Sequence, residues 1–213
     1  MDKQAFLNHV MTAAPVVPVV IVNDVAQAVS MSRALVAGGL PAIEITLRTP
    51  NAIDCIKAVA DEVEGAIPGA GTVLSAEHMA AVEKAGAKFM VSPGTAPKLI
   101  DAALDCSVPL LPGTATASEM MALGEKGFTH VKFFPAEAAG GADYLKSIAS
   151  PLPQFRFCPT GGVSMKNAGS YLSLPNVLCV GGSWVAPANL VEEGDWAGIE
   201  ALAAEASRLT RAA

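Results

Sequence analysis

The chain has 213 residues, 52% of them apolar and 16% charged, with a formal net charge of −6. That is ample material for a sizeable core, and the low charge points to some apolar surface buried between subunits. No basic cluster stands out, which argues against a nucleic-acid binder, and the four cysteines (Cys55, Cys106, Cys158, Cys179) have neither CxxC pairing nor metal-ligand spacing with the three histidines, so neither a disulfide framework nor a metal site is expected.

Residues 2–13 read as an extra N-terminal helix. The apolar run that follows is broken by Pro15 and Pro18 and is too short to span a bilayer. The start of the chain does not resemble a signal peptide, so a cytoplasmic location away from membranes is expected. Strand candidates then recur at 16–22, 42–47, 66–73, 89–92, 109–111, 130–134, 156–159 and 177–180. Helical apolar spacing lies between them, at 25–36, 52–63, 76–85, 98–104 and 117–123, with a final helix at 196–208. Asp24, Ser75, Thr116 and Ser164 are candidate N-caps, and Gly38-Gly39, Gly86 and Gly127 candidate stops.

Eight alternating units predict an α/β fold: a (β/α)8 TIM barrel forming one domain over 1–213. An open doubly wound sheet is the alternative. The first strand, however, runs into Val22-Asn23-Asp24-Val25 and not into a G-x-G-x-x-G phosphate loop.

In a barrel, polar residues near the C-terminal ends of strands carry the chemistry. On the second strand, period-2 geometry sends Ile43, Ile45 and Leu47 outward and Glu44, Thr46 and Arg48 inward. Glu44 and Arg48 form either an internal salt bridge or part of a site. The same parity on the third strand turns Ala66, Pro68, Ala70 and Thr72 inward. Strands four and five end in Ser92-Pro93-Gly94 and Leu111-Pro112-Gly113-Thr114, turns that also keep a cavity floor open.

The sixth strand carries Lys132, inward with His130 and Phe134, while Val131 and Phe133 face out. A buried ammonium needs a counter-charge or must give up its proton, and the free amine is a nucleophile toward carbonyls. Lys132 is therefore a Schiff-base former or the partner of a buried carboxylate, and burial beside Phe134 with the Arg48 cation nearby favours the first. His130 sits at the bottom of the strand as a core histidine, and Arg156, low on the seventh strand, pairs inside the barrel. Met120-Met121 reads as helix packing.

The last two strands end in Thr160-Gly161-Gly162-Val163-Ser164 and Val180-Gly181-Gly182-Ser183-Trp184. Paired glycines expose backbone N–H groups, and a helix after each pair adds its positive end. Loops after strands seven and eight form the phosphate site of many TIM barrels, so a phosphorylated small-molecule substrate is expected.

Taken together, Gly38-Gly39, Glu44-Ile45-Thr46-Leu47-Arg48-Thr49, Gly69-Ala70-Gly71-Thr72-Val73-Leu74, residues 89–94, Lys132-Phe133-Phe134-Pro135-Ala136-Glu137, 156–162 and 179–184 resemble the 2-keto-3-deoxy-6-phosphogluconate (KDPG) aldolase family. The resemblance implies a homotrimeric TIM-barrel lyase of the Entner–Doudoroff route. Such an enzyme cleaves a phosphorylated 2-keto acid to pyruvate and D-glyceraldehyde 3-phosphate, with 4-hydroxy-2-oxoglutarate as a second substrate. It implies Lys132 as Schiff-base lysine and Glu44 as acid/base through a water. Arg48 and Thr72 would hold the pyruvyl carboxylate, and Pro93 and Phe134 would shape the pyruvyl pocket. Gly161, Gly162, Gly181, Gly182 and Ser183 would bind phosphate, and Thr160 matches the glucose-type rather than the galactose-type pattern. No cofactor or metal is implied. The rivals are a phosphate-binding barrel isomerase or epimerase, a galactose-type KDPGal aldolase, and a phospho-sugar binding protein without turnover.

Overall fold

The computed structural model describes residues 2–212. After α1 (Lys3–Thr12), the chain runs β1 (Val16–Val20), α2 (Val25–Ala37), β2 (Ala42–Thr46), α3 (Ala52–Glu62), β3 (Ile67–Gly71), α4 (Ala76–Lys84), β4 (Phe89–Val91) and α5 (Pro97–Asp105). Its second half is β5 (Leu110–Leu111), β6 (Gly113–Thr114), α6 (Ala117–Glu125), β7 (His130–Phe133), α7 (Gly141–Ile148), β8 (Arg156–Pro159), α8 (Ala168–Leu172), β9 (Val180–Gly182), α9 (Ala188–Glu193) and α10 (Trp196–Ala206). None of these helices is long and apolar enough to cross a membrane.

All strand pairs are parallel, in the orders β5-β4-β3-β2-β1-β9 and β6-β7-β8. β5 and β6 are halves of one stave, broken at Pro112, which has no N–H to donate but whose carbonyl accepts from Lys132 N–H at 2.9 Å. Bridges Phe157↔Val177 and Thr160↔Gly181 join β8 to the β9 stave and close the ring. The pairing slips by one residue between these bridges, a bulge. It moves the regular part of the last strand from the expected 177–180 to Val180–Gly182. The result is the eight-stave barrel that the alternation predicts.

Alternation along the staves builds two cores. Outward residues such as Val16, Val20, Ile43, Ile45, Val131, Phe133 and Phe157 pack under the helices. Inward, the lower barrel is filled by Val17, Ala42, Phe89, Val91, Leu111, Cys158 and Cys179. Helix α1 plugs this floor with Leu7, Val10 and Met11, each side chain contributing about 1.5–3 kcal/mol by burial. His130 belongs to this end. Its ring lies among Gln4, Asn8 and Thr129, and burial, with the Arg156 charge adding, pushes its pKa down.

Three expectations are corrected. The third strand has the opposite parity: Glu44 pairs with Gly69 and Thr46 with Gly71, so 67, 69 and 71 face inward and Ala70 faces the helices. Its glycines carried no parity signal, and the Phe89 ring fills the space beside Gly69. Ser164 caps no helix; its N–H and hydroxyl both donate to Asn167 Oδ1, one turn before α8. Arg156 is half-buried and donates to the Pro153 and Phe155 carbonyls, and among the described residues no carboxylate forms an ion pair with it. Asp24, Ser75 and Thr116 cap as expected, Thr116 in a reciprocal capping box with Glu119. Of the methionine pair, Met120 is buried while Met121 is exposed, as two positions about 100° apart on one helix require.

Candidate active site

β2 and β7 stand on opposite sides of the eight-stave ring and point one charged residue each at its axis. Lys132 Nζ lies 3.2 Å from Glu44 Oε1 and 3.5 Å from Oε2. The two residues are only 4% and 3% exposed. Both readings of the lysine therefore meet in one arrangement: the buried carboxylate that Lys132 requires also lies within reach of anything bonded to Nζ, where a carboxylate can carry a proton. The ammonium also sits 5.4 Å from the centroid of the Phe134 ring.

Space for the pair comes from bare backbone. A side chain on Gly71 would collide with the Glu44 carboxylate. Gly113, paired with Lys132 across the ladder, would drive a side chain into the Pro93 backbone. That contact is the place of Pro93, whose backbone lies against the bare Gly113 and which does not line the cavity. Ser92 fixes this corner by donating to the Gly94 carbonyl and accepting from Gly113 N–H.

Arg48 lies beyond the end of β2 and forms no ion pair with Glu44. Its Nε donates to Thr72 Oγ1 at 3.0 Å, and among the described residues no carboxylate pairs with it. Thr72 reaches that position through a left-handed backbone, φ +58°, and not through strand alternation. Such a conformation is unfavourable for a β-branched residue and is held here by the surrounding structure. The outcome is a guanidinium at the mouth with its remaining donors free for a carboxylate.

A cavity of about 360 Å³ opens beside the pair. Arg48, Lys132, Phe134, Thr160, Gly161, Gly162, Gly181, Gly182 and Ser183 all line it. Thr160 points inward, and Gly181 is bare because a Cβ there would lie 2.2 Å from Thr160 Oγ1. Gly182 faces outward under the Trp184 ring. The N–H groups of Gly161, Gly162 and Ser183 form no hydrogen bond within the described residues, which leaves a wall of unpaired donors for an anion. Of the two following helices only the start of α9 reaches the cavity, through Ala186, Pro187 and Ala188. α8 begins too late, and Asn167 Nδ2 holds the Gly162 carbonyl instead.

Sequence reasoning missed Val19, Ile21 and Val191 in the lining. β1 is apolar on both faces, as parallel strands are, so nothing marked its inward positions. Among the described residues no three His, Cys, Asp or Glu side chains converge as metal ligands. The chemistry on offer is that of an amine, a carboxylate and an anion-binding wall.

Comparison with known proteins identifies the family. The model of the family described as KDPG and KHG aldolase matches residues 7–202. A 2-dehydro-3-deoxy-phosphogluconate aldolase of Pseudoalteromonas atlantica is 52% identical over 199 residues, 93% of either chain. The KDPG aldolase of Legionella pneumophila, solved with pyruvate captured as a covalent carbinolamine intermediate, superposes with a TM-score of 0.93 at 40% identity, over 97% of this chain and 98% of that one. The Zymomonas mobilis enzyme with 3-phosphoglycerate gives 0.93 at 48% identity, over 98% of each. With the family model covering most of its length and the amine–carboxylate pair at the barrel axis, the chain belongs to the KDPG and KHG aldolase family.

Proposed function

We propose that the protein is a class I aldolase that cleaves 2-keto-3-deoxy-6-phosphogluconate to pyruvate and D-glyceraldehyde 3-phosphate. The observation that carries the reading is the buried Lys132–Glu44 contact of 3.2 Å beside a cavity walled by anion-binding donors. The Lys132 amine adds to the C2 carbonyl, and loss of water from the carbinolamine gives an iminium. Glu44, directly or through one water, takes the proton of the C4 hydroxyl. The C3–C4 bonding pair moves toward the iminium nitrogen, and the aldehyde leaves. Returning the proton to C3 of the enamine and hydrolysing the imine releases pyruvate and restores both residues. The iminium serves as electron sink, so the scheme calls on no cofactor or metal.

Arg48, pinned by Thr72, holds the pyruvyl carboxylate. Phe134 bounds the pyruvyl end, with Pro93 fixing the neighbouring Gly113 corner, and Gly161, Gly162, Gly181, Gly182 and Ser183 receive the phosphate. Thr160, inward beside C4, favours the gluconate over the galactonate epimer. 4-Hydroxy-2-oxoglutarate, which shares the pyruvyl half, is the second substrate. A cytoplasmic homotrimer belongs to the same proposal, supported by exposed Ile53, Leu74, Leu104 and Met121 and by the low charge of the chain.

The test is to incubate the enzyme with the phosphorylated 2-keto acid and quantify both products. Equal amounts of pyruvate and glyceraldehyde 3-phosphate are expected. An isomerised substrate with its carbon chain intact would support the isomerase reading, and binding without turnover the non-catalytic one.

A further inference from the structure

The Gly161-Gly162 turn is held from behind by two side chains that do not line the cavity. Ala136 N–H donates to the Thr160 carbonyl at 2.8 Å and Glu137 N–H to the Gly161 carbonyl at 3.1 Å. The Glu137 side chain then lies where Gly162 has none: a Cβ on Gly162 would sit 2.6 Å from Glu137 Cγ. Gly162 also has a left-handed backbone, φ +78°, so no other residue fits that place. Glu137 Oε1 accepts from the hydroxyl of Tyr171, a residue wholly buried. Burial, reinforced by the Glu137 charge, drives the pKa of Tyr171 far up, which keeps its hydroxyl a donor. On the far side Asn167 Nδ2 takes the Gly162 carbonyl at 3.0 Å. The turn is thus clamped through its carbonyls and its bare Cα, while its N–H groups stay unpaired at the cavity wall.

We infer that Glu137 and Tyr171 are positioning residues for phosphate recognition, holding Gly161-Gly162 in the conformation that receives the phosphate of the substrate. The inference rests on the aldolase reading above. Pyruvate carries no phosphate and provides the internal control.

The experiment measures KM and kcat for the phosphorylated 2-keto acid, and borohydride-trapped pyruvate on Lys132, in Glu137→Ala, Tyr171→Phe and Glu137→Gln. Alanine removes both the contact under Gly162 and the acceptor for Tyr171; phenylalanine removes only the hydroxyl. Both are expected to raise KM about fivefold to tenfold, the loss of roughly one hydrogen bond, with kcat and pyruvate trapping held within about twofold. Glutamine keeps the contact and an acceptor, so it should restore most of the affinity. An unchanged KM in both Glu137→Ala and Tyr171→Phe overturns the inference. So does an equal loss of pyruvate trapping in both, which would mark the pair as a general support of the fold. A wild-type protein that traps no pyruvate overturns the aldolase reading itself, and the inference with it.

Discussion

The carboxylate of Glu44 occupies the space that a side chain at Gly71 would need: a Cβ there would lie 2.2 Å from Oε1 and 2.7 Å from Cγ. The strand beside the acid thus has to be bare for the acid to reach Lys132. Gly71→Ala is predicted to push the carboxylate off the amine. The overpacking should cost about 1–3 kcal/mol of stability, and turnover should fall by more than tenfold while the barrel stays folded by circular dichroism. Wild-type turnover in this variant would show that the Glu44 position is not critical.

Glu44→Gln separates the two halves of the chemistry. The amine is left without its counter-charge in a buried place, a loss of about 3–5 kcal/mol for a broken buried pair. Aldol cleavage should drop by about 10²–10⁴, the usual contribution of a positioned acid/base. Imine formation with pyruvate should persist. Steady-state assays set beside adduct yield check this, and turnover within tenfold of wild type would remove Glu44 from the proton-transfer role.

If Arg48 holds the pyruvyl carboxylate as proposed, Thr72 acts on the substrate through the hydrogen bond it accepts from Arg48 Nε. Thr72→Val keeps the β-branched shape and the same left-handed backbone but loses the hydroxyl that accepts from Arg48 Nε. KM should rise roughly tenfold, about 1.4 kcal/mol, with little change in melting temperature. Thr72→Ser should retain the wild-type KM. Equal KM values for the valine and serine variants would mean that the hydroxyl does not hold the guanidinium.

His130 makes stability depend on pH. Its folded pKa is depressed below the ordinary 6.5 by burial and by Arg156, while Asp2 pulls weakly the other way. The unfolded chain therefore takes up a proton first as pH falls. The contribution is fully present above about pH 6.5, and it is lost progressively as pH drops through the folded pKa. Thermal melts of wild type and His130→Gln across this range should show a smaller acid-side decline in the variant. Parallel curves would show that this ring carries none of the pH dependence.

Charged residues in apolar strands made β2 and β7 legible: Glu44 among isoleucines and Lys132 among aromatics revealed which face is inward, and alternation did the rest. The third strand offered only Ile, Pro, Ala and Gly, so its parity was misread until the register Glu44↔Gly69 and the Phe89 ring assigned it. Thr72, expected inward by that parity, reaches Arg48 for a different reason: a left-handed residue at the strand end turns it there. The positions of the cradle glycines were readable from their place after the last two strands. Their reasons were not: Thr160 beside Gly181 and Glu137 under Gly162 are contacts between segments far apart in the sequence. No local pattern encodes them.

The most direct test of the central claim is to incubate the protein with pyruvate and borohydride, digest it, and locate the adduct by mass spectrometry. A reduced pyruvyl group on the peptide carrying Lys132, absent from Lys132→Gln, is the predicted result. A folded, wild-type protein that yields no adduct, or one that carries it on another lysine, would contradict the account.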